Sequence, residues 1–337
     1  MKIKYRYLII IALSCLVGVL FFIRKDSKKQ LFTAQGEVWT TEYHITYEAS
    51  KNLDDSIAAV LDMVDKSASA YNPQSLVSQF NAAGEVAADG IIMLLMRESR
   101  VVNEQSGGLY DPTVMPLVGA WKKVRKQGGM LSQQEIDSLV ALVGLDKVMV
   151  SGNKLVAKSK GVQLDFSSIA KGLACDEVGR MLERNGAKNY LVEIGGEVVA
   201  RGINSHGEKW HVSVDLPTDQ AETTSHESML VLELNNESVA TSGNYRQYAE
   251  VDGKRVTHIV NPRTGLAEQS DLLSVSIIAP TCATADAWAT ACMVMGTEAT
   301  QQMMDKRTDL GVMTIGTDSA GNYIVWSNKA FAEKVAK

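Results

Sequence analysis

"VQLDFSSIAKGLACDEV", residues 162–178, decides how the chain is read. Apolar residues bring the chain to Asp165 at a strand end, two small polar residues follow, and Ala170-Lys171-Gly172 opens a helix. That helix is predicted over 169–185, with Gly186 just past its end. A strand–turn–helix junction exposes backbone N–H groups at a helix N-terminus, which is a ready anion site. Lys171 would add a cation for a phosphate, and Asp165 could hold a sugar hydroxyl or an amide. The plain alternative is an Asp that caps the helix and a Lys in solvent. Spacing alone does not choose between them.

Upstream of this junction helices dominate, and downstream of it strands. After a short tether at 30–34, "EVWTTEYHITYE" (37–48) reads as a strand. A helix starts at Asn52, with Ile57, Val60, Leu61, Val64 and Ala68 at helical spacing. A turn and short helix occupy 71–81, an amphipathic helix 90–104, and "SQQE" (132–135) caps a helix that stops at Gly144. Between them "GGLYDPTVMPL" (107–117) reads as a Pro-bounded segment with Asp111 exposed. Strands are predicted at 147–151, 154–158, 162–166, 189–194, 197–203, 210–215, 229–235, 238–241, 245–251, 256–260 and 273–279, with a long hairpin loop at 217–228. Helices at 282–295 and 297–306 and a hairpin at 312–326 complete the chain. The fold class is α+β, mixed sheets with packed helices, in one intertwined unit over 31–337.

The composition, 45% apolar and 22% charged over 337 residues, is that of an ordinary globular protein. A net charge of −5 argues against nucleic-acid binding, which needs a basic patch. Residues 1–30 stand apart. Lys2, Lys4 and Arg6 precede a charge-free apolar run from Leu8 to Ile23, which Arg24 and Lys25 close. At about 1.5 Å per residue the run reaches roughly 24 Å, slightly short of a bilayer core. An uncleaved anchor, lipoprotein processing at Cys15 and ordinary signal cleavage all fit it. Each delivers the remainder to a membrane. Cys175, Cys282 and Cys292 form no metal pattern and read as buried free thiols.

Three further stretches can carry chemistry. In "PTCATADAWATACMVMG" (280–296), Asp286 and Thr290 are one helical turn apart and share a face. A buried carboxylate there would be costly without a partner. A hard divalent cation would resolve the cost, and so would hydrogen bonds to Thr290 or to a neighbouring backbone. "VATSGNYRQY" (239–248) turns at Ser242-Gly243-Asn244 into a strand that pairs with the next. That next strand ends at His258 in "THIVNPRTG" (257–265), where Pro262 and Gly265 force a sharp turn. His258 is either a base over a substrate or a satisfied polar group beside a turn. Gly195-Gly196 after "YLVEI" would let a ligand approach a strand end or would merely bend the chain. No GxGxxG, P-loop or GxSxG pattern occurs.

Taken in order, "YNPQSLVSQFN", "GGLYDPTVMPLV", "LDFSSIAKGLACDEV", "YLVEIGGEV", "ATSGNYRQY", "THIVNPRTG" and "ATADAWATACMVMG" resemble the ApbE family, the FAD:protein FMN transferases, over residues 36–326. The resemblance implies an ApbE-type, T-fold-like architecture. It also implies a reaction in which FMN passes from FAD to a Thr hydroxyl of a target protein, releasing AMP with Mg²⁺ as cofactor. By position, Asp286, Thr290 and Ser168 look like Mg²⁺ ligands. Asp165, Lys171, Tyr71, Leu109, Tyr110, Asp111 and Ile259 look like FAD contacts, and Trp39 would pack on the flavin or adenine. His258 is suited to be the base and Lys171 to neutralise the phosphates. Ser167-Ser168 and Trp39-Thr40 depart from the family's commoner residues. The implied acceptor is an extracytoplasmic flavoprotein subunit of a sodium-pumping NADH:quinone reductase or Rnf-type complex. The implied location is the periplasmic side of a bacterial inner membrane. FAD pyrophosphatase activity and flavin storage are the rival functions.

Overall fold

The structure, a computed structural model, describes residues 29–217, 228–244, 248–251, 254–267, 270–318 and 320–337. The chain opens with β1 (Gln30–Val38) and β2 (Thr41–Ala49), then α1 (Asp54–Ala68), α2 (Leu76–Ala83), β3 (Glu85–Ala87), α3 (Gly90–Gln105), α4 (Met115–Gln127) and α5 (Gln133–Val140). Next come β4 (Val148–Ser151), β5 (Lys154–Ala157), α6 (Ala170–Arg184), β6 (Tyr190–Ile194), β7 (Glu197–Arg201), β8 (Trp210–Asp215), β9 (Ser228–Leu234) and β10 (Glu237–Gly243). The rest is β11 (Tyr248–Val251), β12 (Lys254–Thr257), β13 (Leu272–Ala279), α7 (Cys282–Met295), α8 (Thr297–Met304), β14 (Gly311–Thr317), β15 (Tyr323–Ser327) and α9 (Lys329–Ala332).

The main sheet runs β1-β2-β6-β7-β10-β13-β14-β15, every pair antiparallel. Helices α6 and α7 pack against each other, and α7 lies on β10 and β13. Their apolar faces close the main core with Leu173, Val178, Trp288 and Met293. A second core lies under the β8–β9 ribbon, with Trp210, Leu232 and Phe331. A third, smaller one joins α4, α5 and the β11–β12 hairpin through Leu117, Trp121, Ile136 and Val256. That small core supports the 258–265 loop. The three thiols are free and buried, as the sequence implied.

Several expectations need correction. Residues 30–34 are no tether but the first half of β1, and 37–48 is not one strand. Trp39 and Thr40 take φ of 50° and 64°, a two-residue hairpin turn made without the glycine that usually signals one. Residues 162–166 form no strand, only an isolated parallel bridge from Gln163 to Val114. The Asn81 side chain takes the Leu164 amide, and the Asp165 amide donates to Pro112 O. Ser242 and Gly243 continue β10 because Val275 and Ser274 of β13 keep them paired; only Asn244 begins the bend. Helix α4 starts within the 107–117 segment expected to be Pro-bounded, and no element was expected over 118–127. Pro116 sits in its first turn, where a missing N–H costs nothing. Residues 218–227 of the supposed hairpin loop and residues 1–28 of the supposed anchor lie outside the described residues. Among the described residues no helix is long and apolar enough to cross a membrane.

Candidate active site

A cavity of about 580 Å³ opens where α6, α7, β7, β10, α4 and the 258–265 loop converge. Tyr71, Leu109, Tyr110, Asp111, Asp165, Ser168, Lys171, His258, Ile259, Asp286 and Thr290 all line it. Trp39 does not. It lines an adjoining cavity of about 640 Å³, which shares Tyr71, Ser167 and Lys171 with the first. Residues from seven separated stretches thus meet in one place.

One wall is the α6–α7 junction, where two backbones touch. A Cβ on Gly172 would overlap the Cys282 carbonyl and stand 2.8 Å from the Ala283 nitrogen, so only glycine permits this approach. Asp176 of α6 accepts from the Cys282 and Ala283 amides at 2.9 and 3.0 Å, capping α7 from outside that helix. In return Asp286 of α7 accepts from the Gly172 amide at 3.1 Å. The exchange carries Asp286 to the cavity floor, 4% exposed. Thr290, one turn on, meets Ser242 Oγ at 3.4 Å.

Neither plain reading of Lys171 and Asp165 holds. Lys171 is not in solvent: its ammonium pairs with the Glu197 carboxylate. Burial works against that ammonium, yet Glu197 and Asp286 outweigh it and hold its pKa above the ordinary range. Burial pushes the Glu197 carboxyl up to about 8, against the pull of Lys171. It pushes Asp286 up as well, again opposed by Lys171. Glu197 Oε2 is buried without a hydrogen-bond partner. Asp165 turns its carboxylate onto Ser167, accepting from its amide at 2.8 Å and its hydroxyl at 2.5 Å, rather than capping α6. Asp111, read as exposed, is buried. Its carboxylate accepts from Thr113 N and Oγ1 at 2.8 and 2.6 Å and from Leu145 N at 3.1 Å. It ties the 107–117 segment to Leu145, because a buried carboxylate must find donors.

The opposite wall carries His258, one residue beyond β12. Asn261 Oδ1 accepts from the Arg263 and Thr264 amides at 2.9 and 3.2 Å and closes the turn locally. Gly265, at φ 72°, presses against Ile136 and Val140, where a side chain would collide. Helix α4 holds both ends of the loop. Arg125 Nη1 donates to Thr257 O at 2.6 Å and Trp121 Nε1 to Gly265 O at 2.7 Å. Arg263 reaches across to the Gly107 carbonyl.

Glu197, Lys122 and Arg125 also line the cavity, and sequence reasoning missed all three. Glu197 directly follows the Gly195-Gly196 pair, and only the demand of a buried Lys171 for a counter-ion could have drawn attention to it. Lys122 and Arg125 lie in 118–127, where the sequence reading expected no element. Lys122 lies 4.7 Å from the centre of the Tyr71 ring.

The oxygens of Asp286, Thr290 and Ser168 are hard donors suited to Mg²⁺. Among the described residues no three His, Cys, Asp or Glu side chains converge as a closed cage. A cation beside Asp286 would therefore complete its shell with substrate oxygens. The fit is that of an open site.

Fold and site together define an antiparallel α+β protein with a buried acid–ammonium cluster at the floor of a nucleotide-sized cavity and a histidine on the facing loop. Comparison makes this specific. The ApbE family's sequence model matches residues 39–314, and the chain belongs to the ApbE family. It is 33% identical over 330 residues to the FAD:protein FMN transferase of Haemophilus influenzae, covering 91% of this chain and 92% of that one. It is 31% identical over 343 residues to the FAD:protein FMN transferase of Escherichia coli K12, covering 94% and 95%. The structure of the flavin transferase ApbE from Vibrio cholerae superposes with a TM-score of 0.79 at 28% identity, covering 91% of this chain and 99% of that one. The apo form of Pseudomonas stutzeri flavinyl transferase ApbE also gives 0.79, at 29% identity, covering 91% and 97%.

Proposed function

We propose that this chain is an FAD:protein FMN transferase that moves the FMN portion of FAD onto a threonine hydroxyl of a target flavoprotein and releases AMP. The observation that carries the reading is the convergence of Lys171, Asp286, Thr290 and His258 on one cavity. The threonine oxygen attacks the flavin-side phosphorus, the bond from that phosphorus to the AMP oxygen breaks, and His258 takes the hydroxyl proton. Lys171 shares its single charge with the Glu197 and Asp286 carboxyls. Asp286, Thr290 and Ser168 would hold Mg²⁺, which would add positive charge at the pyrophosphate. Tyr71, Leu109, Tyr110 and Ile259 bound the space for FAD, with Trp39 in the adjoining cavity. Asp165 and Asp111 shape that space by fixing their own loops.

The acceptor is an extracytoplasmic flavoprotein subunit of an electron-transport complex of the sodium-pumping NADH:quinone reductase or Rnf type. The apolar run at 8–23 supports anchoring in a membrane, and the family resemblance supports the periplasmic side of a bacterial inner membrane, since basic residues on both flanks leave orientation open. The test is the full chain in detergent with FAD, Mg²⁺ and a threonine-containing fragment of such a subunit, read by intact mass. A gain of one FMN on the fragment, abolished by EDTA, is expected. Free FMN and AMP with the fragment unmodified would replace the reading with FAD hydrolysis. Intact bound FAD would replace it with flavin storage.

A further inference from the structure

Helix α4 reads MPLVGAWKKVRKQ and carries Lys122, Lys123, Arg125 and Lys126 with no acidic residue, in a chain of net charge −5. At about 100° per residue, Arg125, Lys122, Lys126 and Lys123 follow one another around an arc of roughly 160°. Trp121 and Val124 occupy the buried remainder of the helix. Among the described residues none of the four cations pairs with a carboxylate, although eight other lysines and arginines do. The arc starts inside the cavity, which Lys122 and Arg125 line, and ends outside it at exposed Lys126 and Lys123. On its far side Lys123 borders a second groove with Met130 and Leu131. The carboxylates of the same cavity are buried, so the charge that its rim shows to an incoming molecule is positive.

Resting on the transferase reading, we propose that α4 is the docking surface for the acceptor protein, which it recognises through an acidic patch beside the threonine to be modified. The geometry favours a protein over a lipid headgroup. Any polypeptide that delivers a hydroxyl to the floor of this cavity must cross its rim, and the basic arc is continuous with that rim. Charges at the edge of an interface mainly raise the association rate and fade with salt.

The test is Lys123→Glu/Lys126→Glu in the full-length enzyme, two exposed positions outside the cavity. Binding of the acceptor fragment is followed by fluorescence anisotropy, and its KM by FMN uptake. At about 50 mM NaCl the double variant should bind the fragment roughly tenfold more weakly, and the difference should vanish near about 0.5 M NaCl. The KM for FAD should stay unchanged. Fragment affinity that is unaltered by the substitutions at low salt would overturn the proposal. So would a variant that loses only its binding to phosphatidylserine-containing vesicles, which would assign the arc to membrane lipid. Because binding is read separately from transfer, a fragment that binds without taking up FMN would count against the transferase reading and not against the docking surface.

Discussion

On one side of the cavity α6 meets α7 backbone to backbone, and two carboxylates, Asp176 and Asp286, each satisfy amides of the facing helix. On the other side the 257–265 loop hangs from α4 by two side chains, Arg125 and Trp121, over a core of a few residues. The first wall belongs to the main core and has almost no freedom. The second is tied by single hydrogen bonds from Arg125, Trp121 and Arg263 over a smaller core. The proposed chemistry divides the same way, with the charged cluster on the first wall and His258, the proposed proton acceptor, on the second. A fixed metal and phosphate site needs a rigid frame, whereas a loop that must accommodate an incoming protein does not.

The largest effect should come from breaking the rigid wall's chemistry. Asp286→Ala should lower Mg²⁺-dependent FMN transfer by at least about 1,000-fold, since a metal at a transferring phosphate supplies several kcal/mol. AMP release at the wild-type rate by that variant would remove Asp286 from the metal site. Gly172→Ala tests the wall's packing. Overpacking against backbone should cost about 3 kcal/mol, read as a fall in the urea midpoint, because neither helix can retreat from the sheet. A midpoint within error of the wild type would show that the junction yields.

A pH prediction follows from the same wall. The folded Glu197 carboxyl holds its proton up to about 8, above its unfolded value, so the folded state binds more protons and stability falls as pH rises toward 8. Denaturation midpoints at about pH 5 and about pH 8 should differ in that direction without Mg²⁺, and Glu197→Gln should flatten the difference. A wild-type midpoint that does not fall would mean that Lys171 keeps Glu197 ionised throughout. The smallest effect is expected on the second wall. Trp121→Phe removes the hydrogen bond to Gly265 O and should cost about 1 kcal/mol or less of stability. The rate of FMN transfer should nevertheless fall several-fold while the KM for FAD holds. An equal change in both would show that the loop serves binding and not proton transfer.

The charged wall was largely legible in the sequence. The helix over 169–185 and the one-turn spacing of Asp286 and Thr290 follow from local rules, as does His258 beside a Pro-Gly turn on the facing wall, and local rules are written in neighbouring residues. The rest of the loop wall was not, because Pro116 in the first turn of α4 reads as a break, and the role of α4 lies in two side chains that reach 132 and 144 residues along the chain. The same limit explains Asp111, whose burial depends on Leu145, and Glu197, whose partner comes from another element.

The sequence by itself determined the α+β class, the resemblance to one family and 11 of the 23 residues that line the cavity. Only the tertiary structure decided that Lys171 is paired, that Asp165 and Asp111 serve their own loops, that Trp39 faces a neighbouring cavity, and that a basic helix forms the rim. Each of these depends on which distant groups share a low-dielectric space, and charge pairing and desolvation act through that space and not along the chain.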